Sequence, residues 1–310
     1  MILAGKTAFI VNPHAGNGAT CMEWPRIQAF ARDRLGPFEV HLTSGPGDAT
    51  RAAGEQLRRG FERIICVGGD GTLNEVVNGL VGEDGVVPAG VVVGFIPNGT
   101  GCDFVRTNPI PRELDACLSL IEEGHARRLD LGRLTYRDPL GETAVRYFHN
   151  IASFGIAGEV VARVNRTSKA FGPFVSFMWG TLQSLLLYGT KRVRLRLDDG
   201  PETECSVWNI AVANGRYHGG GMCVAPDAAT DDGLLHVTVI GDLRLPEVFW
   251  HLPKLYSRRI GDIRKVRMAV CRTVEASSGD SVLLDVDGEQ PGTLPSRFEV
   301  VPAALNIIAG

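Results

Sequence analysis

The residues best suited to chemistry stand in the stretch Ile64-Ile65-Cys66-Val67-Gly68-Gly69-Asp70-Gly71-Thr72-Leu73-Asn74-Glu75. An apolar run ends in two glycines, an aspartate, a third glycine and a threonine. Apolar residues then recur at Leu73, Val76, Val77 and Leu80, which is helical spacing. The pattern predicts a strand, a tight loop and a helix start. Glycines let backbone N–H groups approach an anion with no side chain in the way. A helix N-terminus adds unpaired donors and a partial positive charge. The loop therefore suits phosphate. Asp70 is the exception, because a carboxylate repels phosphate unless a cation intervenes. That points to Mg²⁺, held directly or through water, beside the phosphates of a nucleotide. A plain Gly-rich turn between strand and helix explains the same glycines, and the loop alone does not separate the two readings.

The elements that must position this loop read as alternating strands and helices. Residues 7–11 form an apolar run followed by Asn12-Pro13-His14-Ala15-Gly16-Asn17-Gly18, a first strand entering a Gly-rich loop. Such loops lie at the carboxyl end of an open α/β sheet, where ligands bind. Residues 24–35 have helical spacing, and 38–42 alternate like a strand. A helix is expected over 49–59 with Asp48 as its N-cap. The run 91–96 is continuously apolar, as in a strand covered on both faces. It leads into Pro97-Asn98-Gly99-Thr100-Gly101-Cys102-Asp103-Phe104. A helix over 111–123 has Pro in its first turn. The first ~125 residues thus imply a parallel sheet with helices on both sides.

After Asp130 the strand patterns follow one another with few helices, at 145–151, 191–197, 202–213, 234–240, 264–274, 281–286 and 297–301. Val193-Arg194-Leu195-Arg196-Leu197 alternates, so one face is wet. This predicts an antiparallel β-sandwich with its boundary near 131–136. The expected domains are 1–132, an α/β nucleotide-binding domain, and 133–302, a β-sandwich acceptor domain.

Composition narrows the class. A chain of 310 residues with 44% hydrophobic content supports one large domain or two ordinary ones. The net charge of −3 with no basic block argues against a nucleic-acid partner. Seven scattered cysteines with no C-x-x-C pair point to reduced thiols in a cytoplasmic setting rather than a disulfide scaffold. The first residues run directly into a strand pattern, with no signal peptide visible. Residues 170–190 hold no charge before Lys191, yet Gly172-Pro173 and Gly180 interrupt them. A helix packed on the sandwich is one reading. An apolar lip carrying Phe171, Phe174, Phe177, Met178 and Trp179, touching the inner face of a membrane, is the other.

Taken together the motifs resemble the diacylglycerol kinase catalytic family, lipid kinases related to sphingosine and ceramide kinases. The resemblance rests on Asn12-Pro13 with Gly16, Gly68 to Thr72, Gly99-Thr100 with Asp103-Phe104, Asn150-Ile151-Ala152-Ser153-Phe154-Gly155, Asn214-Gly215 with Gly219-Gly220-Gly221, Ala225-Pro226, Asp231-Asp232-Gly233 and Asp287-Gly288-Glu289. It implies an N-terminal α/β domain like that of NAD kinases and phosphofructokinases, a C-terminal β-sandwich, and nucleotide and acceptor meeting in a cleft between them. It also implies that 303–310 return to the first domain.

The resemblance carries roles with it. Asp70, Asp103 and Asp130 would hold Mg²⁺, partly through water; an N-cap for Asp103 and a junction role for Asp130 are the plain alternatives. Gly68, Gly69, Asp70, Gly71, Thr72, Leu73 and Asn74 would wrap the phosphates of ATP, joined by Thr43 and Thr100, with Asn12 and Gly16 at the pocket edge. Glu289 would be the general base, with Asp287 close by, although Asp-Gly is also a strong hairpin signal. Ala229, Asp232 and Leu234 would hold a structural Mg²⁺. Cys102 departs from the family's asparagine, so a weakly polar thiol replaces an amide. The implied partner is a lipid substrate. Edge strands offer a route to a homodimer, and no residue decides it. Two further readings stay open: a kinase with a soluble acceptor such as NAD, and a non-catalytic nucleotide or lipid sensor.

Overall fold

The computed structural model describes residues 5–166, 188–243 and 245–310. The chain divides into two compact units, Met1–Leu131 with Val301–Gly310, and Gly132–Val300. It passes between them twice, inside β5 (Ala126–Arg137) and inside β16 (Thr293–Ile308). A boundary inside a strand explains why no Pro- or Gly-rich linker marks it.

In the first unit, β1 (Lys6–Val11), β2 (Glu39–Leu42), β3 (Phe61–Gly68) and β4 (Val92–Pro97) pair in parallel in the order β2-β1-β3-β4. The end of β16 adds a parallel contact at Ile307 with Val93. Strands β3 and β4 are apolar along both faces because helices cover both sides. On one side α1 (Ala19–Leu35) and α5 (Leu114–Glu123) bury Trp24, Ile27, Cys117, Leu118 and Ile121 with Phe9 and Val67. On the other, α2 (Asp48–Arg58) packs against α3 (Asp70–Leu80). Gly79 permits that crossing, since a Cβ there would sit 2.9 Å from the Ala53 Cβ and closer still to the Thr50 carbonyl oxygen.

The local ends differ from the sequence reading in three places. Asp48 is the first residue of α2 rather than its cap. Gly47 caps with a left-handed φ of 81°, and Glu75 accepts from the N–H groups of Gly47 (2.9 Å) and Ala49 (3.0 Å). Pro111 precedes α5, whose cap is Glu113 accepting from Ala116 N–H at 3.3 Å. Asp103 occupies the N-cap position of the short α4 (Phe104–Thr107) without a capping bond of its own.

The second unit pairs its strands antiparallel. Its centre is β9 (Thr203–Ala213), bordered by β12 (Leu235–Gly241) on one edge and by β8 (Lys191–Leu197) and β7 (Ile151–Gly155) on the other. β13 (Val266–Cys271) extends β12, β14 (Thr273–Ser277) joins β8 to β16, and β15 (Leu284–Val286) pairs with β7. β6 (Thr143–Phe148) pairs with β5, and a small hairpin joins β10 (Tyr217–His218) to β11 (Met222–Cys223). Phe298 anchors the core, stacked on Phe154 at 5.7 Å and edge-on to Phe148 at 6.4 Å.

Two runs read as single strands are each two. The run 145–151 breaks at His149-Asn150, and 264–274 breaks at Arg272. Strand 281–286 shortens to β15. Two helices went unread, α6 (Ile156–Arg166) and α7 (Leu245–Tyr256). The lip proposed within 170–190 lies outside the described residues but for its last three positions, so its aromatic residues have no structural account. No helix among the described residues is long and apolar enough to cross a membrane.

Alanine at Gly79 would raise helix propensity by about 0.8–1 kcal/mol, yet overpacking of this kind costs about 1–3 kcal/mol. We expect Gly79→Ala to destabilise the protein, with a lower urea midpoint at unchanged slope.

Candidate functional site

In the first unit the loops after β1, β3 and β4 gather at the carboxyl ends of the strands. β1 has β2 on one side and β3 on the other, so the strand order reverses there, the position at which open α/β sheets bind ligands. Asn12 closes the first loop: its side-chain amide donates to Thr72 Oγ1 at 2.9 Å while its own Oδ1 accepts from His14 N–H at 3.0 Å. Gly16, at φ 59°, has room for no side chain, since a Cβ would fall 2.9 Å from the Asn98 carbonyl oxygen. Gly69 and Gly99 lie back to back; a Cβ on Gly99 would stand 2.5 Å from Gly69 Cα. Asn98 N–H donates to the Gly68 carbonyl at 2.7 Å, and Thr43 N–H to the Val11 carbonyl at 2.9 Å. Asn12, Gly16, Thr43, Gly68 to Thr72 and the exposed Thr100 therefore share one rim.

Asp70 ties two of these loops. Its Oδ2 accepts from Asp103 N–H at 2.9 Å and its Oδ1 from Phe104 N–H at 3.2 Å. Asp70 thus performs the capping that Asp103 does not. Asp103 is buried and pairs with Arg106 Nε at 3.1 Å. A Cβ on Gly101 would stand 3.9 Å from one Asp70 oxygen and 4.0 Å from one Asp103 oxygen, so the two carboxylates flank the same backbone. No group of three or more His, Cys, Asp or Glu side chains among the described residues could hold a metal ion. Mg²⁺ does not need one when phosphate and water complete its shell, and one or two carboxylates suffice. Asp70 and Asp103 fit that mode.

The contacts of the other proposed residues are these. Leu73 and Asn74 are fully buried beneath the loop, with Leu73 N–H donating to the Gly69 carbonyl inside α3. They build the rim and do not line it. Asp130 is buried, its Oδ1 accepting from Ala303 N–H at 2.7 Å, which fastens the returning end of the chain. Asp232 accepts from Leu234 N–H at 3.0 Å and meets His236 Nε2 at 3.0 Å. Asp232 is thus engaged locally, as Asp70 is, and the structural Mg²⁺ expected of Ala229, Asp232 and Leu234 stays a proposal.

In the second unit Glu289 ends a two-residue hairpin. Val286 and Glu289 exchange both backbone bonds at 2.8 and 3.0 Å. Asp287 (φ 47°) and Gly288 (φ 90°) are both left-handed, as a type I′ turn demands. Arg146 Nη2 donates to Glu289 Oε2 at 2.7 Å, and the glutamate stays about a third exposed. Asp287 is enclosed. It accepts from the N–H groups of His149, Asn150 and Ile151 at 3.0, 3.2 and 2.8 Å and meets His149 Nδ1 at 2.9 Å. Burial pushes its carboxyl up, but the His149 charge and these bonds outweigh it and hold the group below the usual range. Asp285, buried beside it, meets His218 Nε2 at 3.0 Å and accepts from Gly288 N–H at 3.0 Å. Asn214 donates to the His149 carbonyl at 3.0 Å, so the Asn150 and Asn214 motifs both brace this turn.

Sequence reasoning missed Glu75, Arg146, His149 and His218. Arg146 reads as the outward residue of an alternating strand, and only the fold shows its partner. Glu75 lay in the quoted stretch, but nothing local tells that it caps a helix begun 27 residues earlier.

Two family models match. A diacylglycerol kinase catalytic domain covers residues 6–134, and a YegS C-terminal NAD kinase beta sandwich-like domain covers residues 150–309. A diacylglycerol kinase of Staphylococcus saprophyticus is 31% identical over 298 residues, spanning 94% of this chain and 92% of the relative. The chain belongs to the diacylglycerol kinase family. A diacylglycerol kinase of Staphylococcus aureus is 30% identical over 98% of the chain and 92% of its own length. Among solved structures, a diacylglycerol kinase from Bacillus anthracis shares the fold with TM-score 0.69 at 22% identity, over 99% of this chain and 97% of that one. An NAD kinase from Archaeoglobus fulgidus in complex with ATP superposes with TM-score 0.50 at 17% identity, over 97% and 93% of the two chains. Membership makes this kinase-family protein an enzyme of the phosphotransferase class, with an α/β first domain and a β-sandwich-like second.

Within the family frame Cys102 is explained by its backbone. It sits at φ 47°, and its Sγ bonds with the Gly99 N–H (3.3 Å) and carbonyl (3.5 Å). Burial first, then the Asp70 charge, pushes its thiol up to about 11, so it stays protonated and inert at neutral pH. Asparagine tolerates left-handed backbone better than most residues. We expect Cys102→Asn to change stability by less than about 1 kcal/mol, and Cys102→Val to cost about 1–2 kcal/mol more, by thermal unfolding.

Asp48 yields a pH dependence. Ser44 N–H foremost, opposed by burial and helped by the Ser44 hydroxyl, His41 and Arg51, holds its carboxyl well below the ordinary value. Its folded pKa is depressed, so its stabilisation is complete above about pH 4 and fades as pH falls further. Asp48→Asn should lose on the order of 1–3 kcal/mol at pH 7 and flatten the decline of unfolding free energy below pH 4.

Proposed function

We propose that the protein transfers the γ-phosphoryl group of ATP to the hydroxyl of a diacylglycerol-like lipid. The observation that carries this is the meeting of the Gly16, Gly68 to Thr72 and Gly99 loops around the Asp70–Asp103 carboxylates, in a chain whose relatives are named diacylglycerol kinases. Phosphoryl transfer asks mainly for charge neutralisation and an oriented nucleophile.

In this reading the backbone N–H groups of Gly68 to Thr72 and the first turn of α3 bind the phosphates, with Thr43, Thr100, Asn12 and Gly16 shaping the rim. Asp70 and Asp103 would hold Mg²⁺, which would supply neutralisation of phosphate charge. Glu289 accepts the proton of the lipid hydroxyl as its oxygen bonds to the γ-phosphorus. The bond from that phosphorus to the bridging oxygen breaks, and ADP leaves. Arg146 fixes the Glu289 rotamer. Asp287 is a positioning residue, holding residues 149–151 beneath the turn that presents the glutamate. Asp130 keeps the end of the chain in place. Contact of 170–190 with a membrane and formation of a homodimer rest on sequence alone and belong to the same proposal.

The test is a γ-labelled ATP assay against a lipid panel, with NAD and small alcohols alongside. We expect product on lipid acceptors only. Glu289→Gln should bind ATP as the parent does while turnover falls roughly 100- to 10,000-fold, the usual worth of a general base. Near-parental turnover in that variant removes Glu289 from the role. Product on NAD alone would move the protein to the soluble-acceptor class, and ATP binding without any product would make it a sensor.

A further inference from the structure

Helix α7 (Leu245–Tyr256) is apolar on two opposite faces. Val248 and Leu255 turn inward onto a core formed with Ile151, Ala213, Val224, Ile260 and Ile263. Pro246, Phe249, Trp250, Pro253 and Tyr256 recur at the spacing of a second stripe on the outer side, and all five are exposed. Trp250 is 80% exposed, Tyr256 56% and Phe249 49%. A helix on a water-facing surface normally turns charge outward.

The edge strand β13, on the same core, also exposes apolar residues. Val266, Met268 and Val270 share one strand face, and Val266 packs on the same core as Val248 and Leu255. Met268 and Val270 remain exposed, Val270 by 55%. Single apolar residues on a surface need no explanation, but this many on adjoining elements do.

The surroundings are basic. Between residues 245 and 265 stand Lys254, Arg258, Arg259, Arg264 and Lys265 against Glu247 and Asp262, in a chain whose formal net charge is −3. Both acids are already paired, Glu247 with Lys265 at 2.8 Å and Asp262 with Arg259 at 2.7 Å. Lys254, Arg258 and Arg264 remain as the positive excess of this stretch.

We propose that the outer face of α7, with Met268 and Val270 of β13, docks on an anionic lipid bilayer. Trp and Tyr suit the headgroup boundary, Phe enters the acyl region, and flanking Lys and Arg meet acidic headgroups. Charge complementarity selects this occupant over a second copy of the chain, whose identical basic rim would face its own kind. None of these residues belongs to the stretch 170–190. The inference takes from the proposed function only the expectation that the acceptor resides in a bilayer.

The test is partitioning of the full chain onto phosphatidylglycerol-containing vesicles and onto neutral phosphatidylcholine vesicles, without ATP. The parent should bind the anionic vesicles and lose binding at 0.5 M NaCl, which screens surface charge. Phe249→Ser with Trp250→Ser should weaken binding at least tenfold, and Lys254→Gln with Arg264→Gln should weaken it on anionic vesicles only. Circular dichroism checks that these exposed changes leave the fold intact. Phosphorylation of a monomeric short-chain acceptor should be unchanged in all variants. Equal partitioning of parent and Phe249/Trp250 variant overturns the proposal, as does a parent dimer that the variant dissociates. Failure of the kinase reading shows instead as no phosphorylation by the parent while vesicle binding persists.

Discussion

One carboxylate holds the first unit's rim together. Asp70 stands in the first turn of α3 and accepts the N–H groups of Asp103 and Phe104, the start of α4. Those amides open a helix and have no partner within it, so the charge and the donors satisfy each other. The bond also fixes where the Gly99 loop lies against the Gly69 loop. The two chains touch there at a distance that excludes any Cβ. Asparagine at position 70 would keep the shape and lose half of the acceptors. The geometry of both loops thus depends on this one residue.

The device recurs through the molecule. Asp287 gathers three backbone N–H groups at 149–151, Glu75 caps α2, Asp48 holds Ser44, and Asp198 accepts from Arg272 and Thr273. Each joins segments distant in sequence or closes a turn that strand pairing leaves open. A buried carboxylate is costly alone and favourable when several N–H groups converge on it. Acidic residues near loops are therefore poor guides to chemistry in this chain. Asp130 and Asp232, like Asp70, each accept a backbone N–H. Glu289 pairs with the side chain of Arg146 and keeps a third of its surface open. A carboxylate so held can exchange its partner without unfolding a loop.

The second unit carries a further tension. Its core of Phe148, Phe154 and Phe298 is closed, yet α7 and β13 present aromatic and aliphatic side chains outward. Apolar surface left exposed forgoes about 25 cal/mol per Å² that burial would return. Such an arrangement is stable because the inner face of α7 is itself well packed. The outer face is then free to take the lipid environment proposed for it.

Much was legible in the sequence for a physical reason. Continuous apolar runs such as β3 and β4 can only be strands covered on both faces, and glycine clusters at their ends can only be loops that approach something closely. The order of motifs placed the chain in its family, and the left-handed Asp287-Gly288 pair announced its turn. Local pattern failed wherever a contact crosses the sequence. The corner at His149-Asn150 exists because Asp287 pulls three amides toward it, 136 to 138 residues away. Glu75 caps a helix that precedes it, and Arg146 finds Glu289 across 143 residues. Periodicity records which face of an element is buried; it carries no record of which distant group a polar side chain will meet. Only the tertiary structure decided which carboxylates are fasteners and which one faces outward.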